Sequence, residues 1–368
     1  MKIPFLDLKA QYNTINNKID KKLKEVINNT AFVSGKYVEE FEDSFANFCE
    51  TKYCVGLNSG TSALHAALLA HGIKSGDEII TVPNSFIATT WAISYCGAKP
   101  VFVDVDPKTF LIDHNLIESK ITSKTRAILP VHLYGQHLEI DLINEIANKY
   151  NLSIIEDAAQ AHASKYKGKS IGSYGNTTCF SFYPGKNLGA YGEGGAVVSD
   201  DIEIINYIKM LRDHGQSKKY KHNFLGYNYR MDGFQGAVLN IKLNYLQDWT
   251  DKRNRIAKKY SDGLQNIKNL QIPCIQNNSI SAFHLYVIHT KKREQLAEYL
   301  EEHGIMTGMH YPIPIHLQKA YSYLGYKKGD FVNSEKNAKE CLSLPMYPEM
   351  TDSQIDRVIE IVVSFFNK

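Results

Sequence analysis

The chain has 368 residues, 43% of them hydrophobic, and a formal net charge of +3. That length allows one large domain or two sharing an interface, and so balanced a charge gives no footing for nucleic acid or an anionic membrane as partner. No apolar run approaches the ~20 residues of a membrane span; the opening "MKIPFLDLKAQY" lacks the apolar core of a secretory signal, and six scattered cysteines with no CxxC pair or Cys/His cluster predict neither a disulfide framework nor a metal site. A reduced, cytoplasmic protein is expected.

From residue 53 onward, short β-like runs alternate with longer helical ones. "YCVGL" reads as a strand, and "TSALHAALLAHG" as a helix ended by Gly72. "DEIITVP" is a strand, "FIATTWAISYCG" a helix that stops at Gly97, and "KPVFVDV" another strand. "TRAILPVHLYG" follows a mixed helical stretch; "EIDLINEIANKYN" then leads into the strand "LSIIEDA", and "TCFSFYP" and "GGAVVSD" are two more strands. This alternation predicts a mostly parallel sheet covered on both faces. After Asp213 the pattern becomes a polar loop and then long helices with few breakers through "YRMDGFQGAVLNIKLNYLQDWTDKRNRIAKKYSDGLQ", a suitable bridge between domains. The remainder mixes a strand, "AFHLYVIHT", with helices, "REQLAEYLEEHG" and "DSQIDRVIEIVVSFFN". The expected division is a large α/β domain over residues 1–248 and a smaller α+β domain over 249–368.

Three stretches carry chemistry. In "VGLNSGTSALHAAL" a strand ends, a few small residues turn, and a helix begins near Thr61. The free amides of a helix N-terminus bind phosphate, and Ser59, Thr61 and Ser62 add hydroxyls; the competing reading makes Ser59 or Thr61 a simple N-cap. The stretch is neither a Walker loop nor a Rossmann fingerprint. In "IIEDAAQAHA" Asp157 closes a buried-looking strand, where ligands of parallel sheets bind. A carboxylate there costs desolvation energy unless it meets a cation or a donor; the competing reading is a helix-capping Asp. In "SFYPGKNLGAYGEGGAVV" Lys186 stands in a glycine-rich turn that has no conformational need of a long cationic stem, with Ser181 five residues ahead of it. A phosphate cradle, a carboxylate at a strand end and a lysine on a later loop are, in that order, the parts pyridoxal phosphate (PLP) requires: donors for its phosphate, an anion for its ring nitrogen, and an amine for its aldehyde.

With those residues in place, the chain resembles sugar-nucleotide aminotransferases of the DegT/StrS type, from "IPFLDLKAQY" through "SFYPGKNLGAYGEGGA" to "HYPIPIHLQ". The resemblance implies the aspartate-aminotransferase-like, type I PLP fold, with pyridoxamine phosphate as the alternate form of the cofactor. It makes Lys186 the Schiff-base lysine, pairs Asp157 with the pyridinium nitrogen and sets Gln160 beside the ring hydroxyl. Gly60, Thr61 and Ser181 would hold the phosphate, and Phe86 would stack on the ring. Asn228 of "GYNYRMD" is similar to the family asparagine that reaches the partner subunit's cofactor phosphate, implying a homodimer with shared active sites. Some relatives are dehydratases with histidine in place of the lysine; this chain keeps Lys186.

Around this set, Tyr183 and Asn187 flank the lysine and are candidates for the sugar pocket, with turn packing as the alternative. Lys219, in "RDHGQSKKYKH", is placed to meet a nucleotide diphosphate unless the run is simply solvated. Tyr311 and His316 lie on a proline-stiffened loop resembling the family's substrate-side loop. His65, His71 and His310 read as packing residues, and Arg253 and Arg255 as an exposed helix face. The implied reaction moves an amine from L-glutamate, which leaves as 2-oxoglutarate, to a dTDP-3-keto-6-deoxyhexose at C3. "YNYRMD" also resembles C4-aminating relatives, so a C4 aminotransferase on a UDP-4-keto-sugar stays open. A non-catalytic regulator on the same fold ranks below both, because such a protein should lack the lysine or carry an appended DNA-binding segment.

Overall fold

The computed structural model describes residues 2–367. Its centre is a seven-stranded sheet in the spatial order Tyr53–Leu57, Gly195–Ser199, Thr177–Ser181, Ser153–Asp157, Thr125–Ile128, Glu78–Thr81, Lys99–Phe102. The expected strands are all present. Gly195–Ser199 runs antiparallel to both of its neighbours, and the other strands share one direction.

Strand alternation sends successive side chains to opposite faces. Ile79, Ala127, Ile155 and Val197 enter one core, beneath the helices Gly60–Ala70, Ile87–Tyr95 and Ile202–Leu211. Ile80, Ile128 and Ile154 enter the opposite core, and Phe180, Ala196 and Val198 extend that face under the helix Lys36–Phe48. Both faces are covered, which is why these strands read as continuous apolar runs.

The stretch before Tyr53, to which the sequence reading assigns no element, forms the helices Leu8–Asn28 and Lys36–Phe48. The second presents Phe41 and Phe45 four residues apart on one face. Their rings pack edge-on against Phe182 at 5.3 Å each, and Phe45 meets Phe180 at 5.0 Å. Phe182 lies four residues before Lys186, so this aromatic cluster seats the start of the lysine turn.

The long helical stretch is two helices, Gly233–Leu243 and Leu246–Leu264, and the second is continuous through the expected division at 248/249. Its first turns pack Leu246 into the sheet-side core and Trp249 against Ile15, Ile19 and Val238 of the helices Leu8–Asn28 and Gly233–Leu243. From Ile256 onward it packs into a separate core with the antiparallel strands Tyr286–His289 and Cys341–Leu344 and the helices Arg293–Glu302 and Asp352–Phe366. Ile3, at the far end of the chain, belongs to that same core.

Two expectations need adjustment. The polar loop after Asp213 is a short exposed hairpin, Gln216–Lys218 with Lys221–His222. In "AFHLYVIHT" only Tyr286–His289 is strand, because the residues before it bond instead to the loop at Tyr134–Gly135: Ala282 N donates to Gly135 O at 2.8 Å and Leu285 N to Tyr134 O at 3.3 Å. No helix among the described residues is long and apolar enough to cross a membrane.

Candidate active site

Strand register decides what meets at the carboxyl edge of the sheet. Asp157 pairs with Cys179, Ser181 with Gly195, and Leu57 with Gly195. The ends of Ser153–Asp157, Thr177–Ser181 and Tyr53–Leu57, with the start of Gly195–Ser199 between the last two, therefore bring Asp157, Ser181 and the turn after Leu57 to one edge.

The turn after Leu57 opens the helix Gly60–Ala70, with Ser59 as its N-cap: Ser59 Oγ accepts from Ser62 N at 3.1 Å. Ser62 Oγ donates to Asn58 Oδ1 at 2.6 Å. Ser59 and Ser62 are thus occupied within the turn, as the capping reading held, while the amides of Gly60 and Thr61 belong to the first turn, which has no intrahelical acceptors. Two glycines permit the crowding here. A Cβ on Gly60 would stand 2.5 Å from Ser181 Cβ, and one on Gly195 would stand 2.2 Å from Ser59 O and 2.7 Å from Gly60 N. Only bare backbone lets the helix N-terminus and the Ser181 hydroxyl share one small volume. The result is a set of donors with the chemistry of a phosphate site.

Asp157 is buried. Its Oδ2 accepts from Thr89 Oγ1 at 2.7 Å, its Oδ1 from Ala159 N at 3.1 Å. No helix begins after it, so it caps none. Burial pushes its carboxyl above the ordinary range, opposed by the Thr89 hydroxyl, the Ala159 amide and the positive charge of Lys186. A carboxylate so placed is completed by a cationic N–H donor, which a protonated pyridine supplies. Beside it, Gln160 Oε1 accepts from Tyr134 N at 2.6 Å and Nε2 donates to Tyr311 OH at 3.1 Å, which fixes the amide's orientation.

Lys186 sits on a turn closed by Lys186 N donating to Tyr183 O and Ala190 N to Phe182 O, both at 2.8 Å. The turn doubles back so tightly that a Cβ on Gly189 would lie 2.2 Å from Pro184 O. Burial lowers the lysine amine from 10.5 to about 8, against the raising effect of the Asp157 carboxylate. An amine at about 8 keeps a useful neutral fraction near neutrality, as a nucleophile or a proton carrier requires.

Residues 13–363 match the DegT/DnrJ/EryC1/StrS aminotransferase family. The chain belongs to that family. It is 44% identical, across 98% of each chain, to the dTDP-3-amino-3,6-dideoxy-alpha-D-galactopyranose transaminase of Aneurinibacillus thermoaerophilus. It is 43% identical, across 100% of this chain and 99% of the other, to a protein of Geobacillus stearothermophilus named a pleiotropic regulatory protein. The crystal structure of S. venezuelae DesV in complex with a ketimine intermediate superposes with a TM-score of 0.99 at 40% identity, covering 100% of this chain and 99% of that one. The aminotransferase fold, mostly parallel sheet with flanking helices, is that of these relatives.

The remaining candidates of this aminotransferase fall into two groups. Phe86, 51% exposed, precedes the helix Ile87–Tyr95, and its ring centroid lies 5.6 Å from that of Tyr311. Tyr311 is hooked to Gln160, and Tyr183 is exposed on the lysine turn. Phe86 and Tyr311 thus lie together beside Gln160. Asn228 is exposed, and its carbonyl accepts from Asn58 Nδ2 at 3.3 Å. The others lie elsewhere. Lys219 is exposed at the hairpin tip with its ammonium 5.2 Å from the Tyr220 ring centroid. His316 is buried against Phe331 with Nε2 3.1 Å from Glu335 Oε1. Asn187 is buried, and both ends of its amide are bonded within the protein.

Sequence reasoning passed over Thr89, Tyr134, His162 and His284, and it misplaced Arg253. That arginine is not on an exposed helix face: it is buried, donating to Met346 O at 2.9 Å and to Phe283 O and His284 O at 3.1 and 3.2 Å. The signal was present, since Trp249, Arg253, Ile256 and Tyr260 repeat at helical spacing on one face. Arg255 does lie outside, paired with Asp352.

In cofactor-free protein, acylation of Lys186 followed by peptide mass spectrometry across a pH series should show a midpoint near 8, well below exposed lysines. Neutral amine is the reacting form, so the rate climbs about tenfold per pH unit below that midpoint. A midpoint at an ordinary lysine value would remove the electrostatic description of the site.

Proposed function

We propose that this aminotransferase uses PLP to transfer the amine of L-glutamate to a nucleotide-linked keto-sugar, a dTDP-3-keto-6-deoxyhexose aminated at C3. The observation that carries the reading is the meeting of the Lys186 amine, the buried Asp157 carboxylate and the Gly60/Thr61/Ser181 donors at one sheet edge. Kinship with the C3-aminating transaminase of A. thermoaerophilus supports the substrate class. The residues present fit the cofactor: donors for a dianion, an anion for a ring N–H and an amine for a carbonyl.

When bound, PLP supplies an electrophilic carbonyl and an electron sink. The protein's part is as follows. The amides of Gly60 and Thr61 and the Ser181 hydroxyl hold the phosphate, aided by the helix N-terminus. Asp157 accepts the ring N–H and keeps that proton in place, Gln160 stands beside the ring hydroxyl, and Phe86 covers the ring face. Lys186 Nζ takes the proton that leaves the α-carbon of the amino donor. In the second half-reaction it delivers a proton to the sugar carbon receiving the amine. One group can do both because a neutral amine accepts a proton and the resulting ammonium returns one.

The cofactor side of this site comes from residues 1–248, and Tyr311 brings the 249–368 portion beside Gln160. Tyr183 and Tyr311 are the side chains we assign to the sugar. The name of the G. stearothermophilus relative keeps a regulatory reading in view; retention of both Lys186 and Asp157 favours turnover.

We also assign a homodimer in which Asn228 reaches the partner's cofactor phosphate. Leu225, three residues earlier on the same loop, is 95% exposed, and a large apolar side chain so placed is suited to cover by a second copy.

Three outcomes are expected. Incubated with a panel of keto-sugar nucleotides and glutamate, the enzyme should turn over the dTDP-3-keto-6-deoxyhexose and give a product whose amine NMR places on C3. Amination at C4, or no turnover of any member, would replace the substrate assignment or the enzymatic reading. Asp157→Asn, which keeps the shape and removes the charge, should lower turnover about 100-fold or more, about 2.7 kcal/mol of barrier. Finally, mixing Lys186→Ala with Asn228→Asp protomers should restore activity, since each hybrid dimer then contains one site with both residues intact. If subunit exchange is confirmed by mass spectrometry and activity stays absent, each site is self-contained.

A further inference from the structure

The lysine turn is anchored on either side of Lys186, by Phe182 and Leu188 in the core under the helix Lys36–Phe48 and by Lys242 Nζ, which donates to Gly189 O at 2.5 Å. Glycines at 185 and 189 give it a tight path and no side-chain anchors of their own. The residue directly after the lysine behaves differently. Asn187 is only 3% exposed, and its side chain crosses from the turn to a segment almost a hundred residues away.

The bonding there leaves one arrangement. Asn187 Nδ2 lies 2.8 Å from Ala282 O. A carbonyl oxygen only accepts, so the amide nitrogen must be the atom facing it. The amide oxygen then faces His284 Nδ1 at 3.2 Å. Amide oxygens do not donate, so His284 Nδ1 carries the hydrogen and the imidazole is fixed in that tautomer. Turning the amide over would set its oxygen against Ala282 O, two acceptors face to face, which no tautomer of His284 can relieve.

The far side of the contact is itself pinned. Ala282 N and Ser281 Oγ both donate to Gly135 O, at 2.8 and 3.1 Å. Asn254 Nδ2 donates to Ser281 O at 2.9 Å. Arg253 binds the carbonyls of Phe283 and His284 and joins them to Met346 O. Gly135 admits the segment because it has no side chain: a Cβ there would lie 2.9 Å from His284 N. Residues 281–284 are thus a fixed post built from the interdomain helix and the C-terminal portion, and Asn187 ties the lysine turn to it.

We propose that Asn187 and His284 form a clasp that positions the half-buried Lys186 over the sheet edge. Asn187 is therefore a positioning residue and makes no sugar contact. Side-chain burial and the two occupied amide ends remove it from the substrate pocket. The charged and titratable groups around the lysine come from several elements: Asp157 from the strand end, His162 from the turn after it, His284 from the post and His310 from the loop before Tyr311. With the clasp closed, the amine is held among them, partly withdrawn from water. With it cut, the turn moves outward and the amine regains hydration.

The test reads Lys186 in full-length, cofactor-free protein, so it stands whether or not the lysine carries PLP. Acylation of Lys186 is followed by peptide mass spectrometry from pH 6 to 11 in the wild type, Asn187→Leu, His284→Leu and His284→Gln. Far-ultraviolet circular dichroism confirms folding of each. In Asn187→Leu and His284→Leu the labelling midpoint should rise by about one unit or more toward the value of an exposed lysine, so labelling at pH 7 falls about tenfold. His284→Gln still donates to Asn187 Oδ1 through its amide, and should keep a midpoint close to wild type. Should Asn187→Leu fail to fold, the comparison of the two His284 variants decides alone. Folded leucine variants with the wild-type midpoint, or a glutamine variant shifted as far as the leucine one, would overturn the clasp.

Discussion

Asp157 and Lys186 are opposite charges brought to one sheet edge without being brought into a salt bridge, and most of the surrounding structure follows from that constraint. Burial drives each toward its neutral form, while each favours the charged form of the other. A direct ion pair would satisfy both and leave nothing for a ligand. Instead Asp157 is met by the Thr89 hydroxyl and the Ala159 amide, and the lysine is carried on a separate turn. The space between them remains chemically incomplete, which suits a flat, cationic ring bearing a carbonyl. The same separation explains why the turn must be held from outside: nothing at Asp157 grips the lysine directly.

The end we assign to phosphate obeys a steric version of the same rule. The helix at Gly60 and the strand end at Ser181 come from segments more than a hundred residues apart, and they approach within a distance that any side chain at Gly60 or Gly195 would prevent. Close-packed interiors do not yield to such intrusions cheaply. These glycines are therefore part of the site, although neither would be recognised as chemical by residue type.

This difference between local and distant contacts governs how far the sequence could be read. The strands of the sheet, the helix start at Gly60, the carboxylate at a strand end and the lysine turn are all local patterns, and each is found where the order of the chain places it. The roles proposed for Lys186 and Asp157 rest on their order along the chain and on resemblance. What could not be read is what lies across the fold. Thr89 reaches Asp157 over a separation of 68 residues, and Asn187 reaches Ala282 over 95. His316 and Asn187 looked substrate-facing by proximity to motifs, yet both turn inward, because neighbours in sequence on a tight loop need not share a direction in space. Arg253 is the instructive exception. Its helical spacing placed it on the apolar face, but a charged residue was read as solvated by type, and a buried arginine that binds three carbonyls reverses that expectation. The helices before Tyr53 also had legible apolar spacing, at Ile15 and Ile19 and at Phe41 and Phe45.

Three imidazoles complete the electrostatics. His162, His284 and His310 all lie close enough to Lys186 for its charge to depress them. Burial is the larger cause in each case; it holds His162 at about 3 and His310 at about 4, and it takes His284 well below the usual value. Were any of them to protonate near neutrality, it would place a second cation beside the lysine and compete for the Asp157 carboxylate. Because they stay neutral, they surround the amine with polar groups and add no charge. Among the lysine and the three imidazoles, the amine, lowered to about 8, is then the group able to change protonation near neutral pH. It can take up and release a proton without an imidazole beside it titrating over the same range, a condition an amine needs if it is to serve both halves of a transfer reaction.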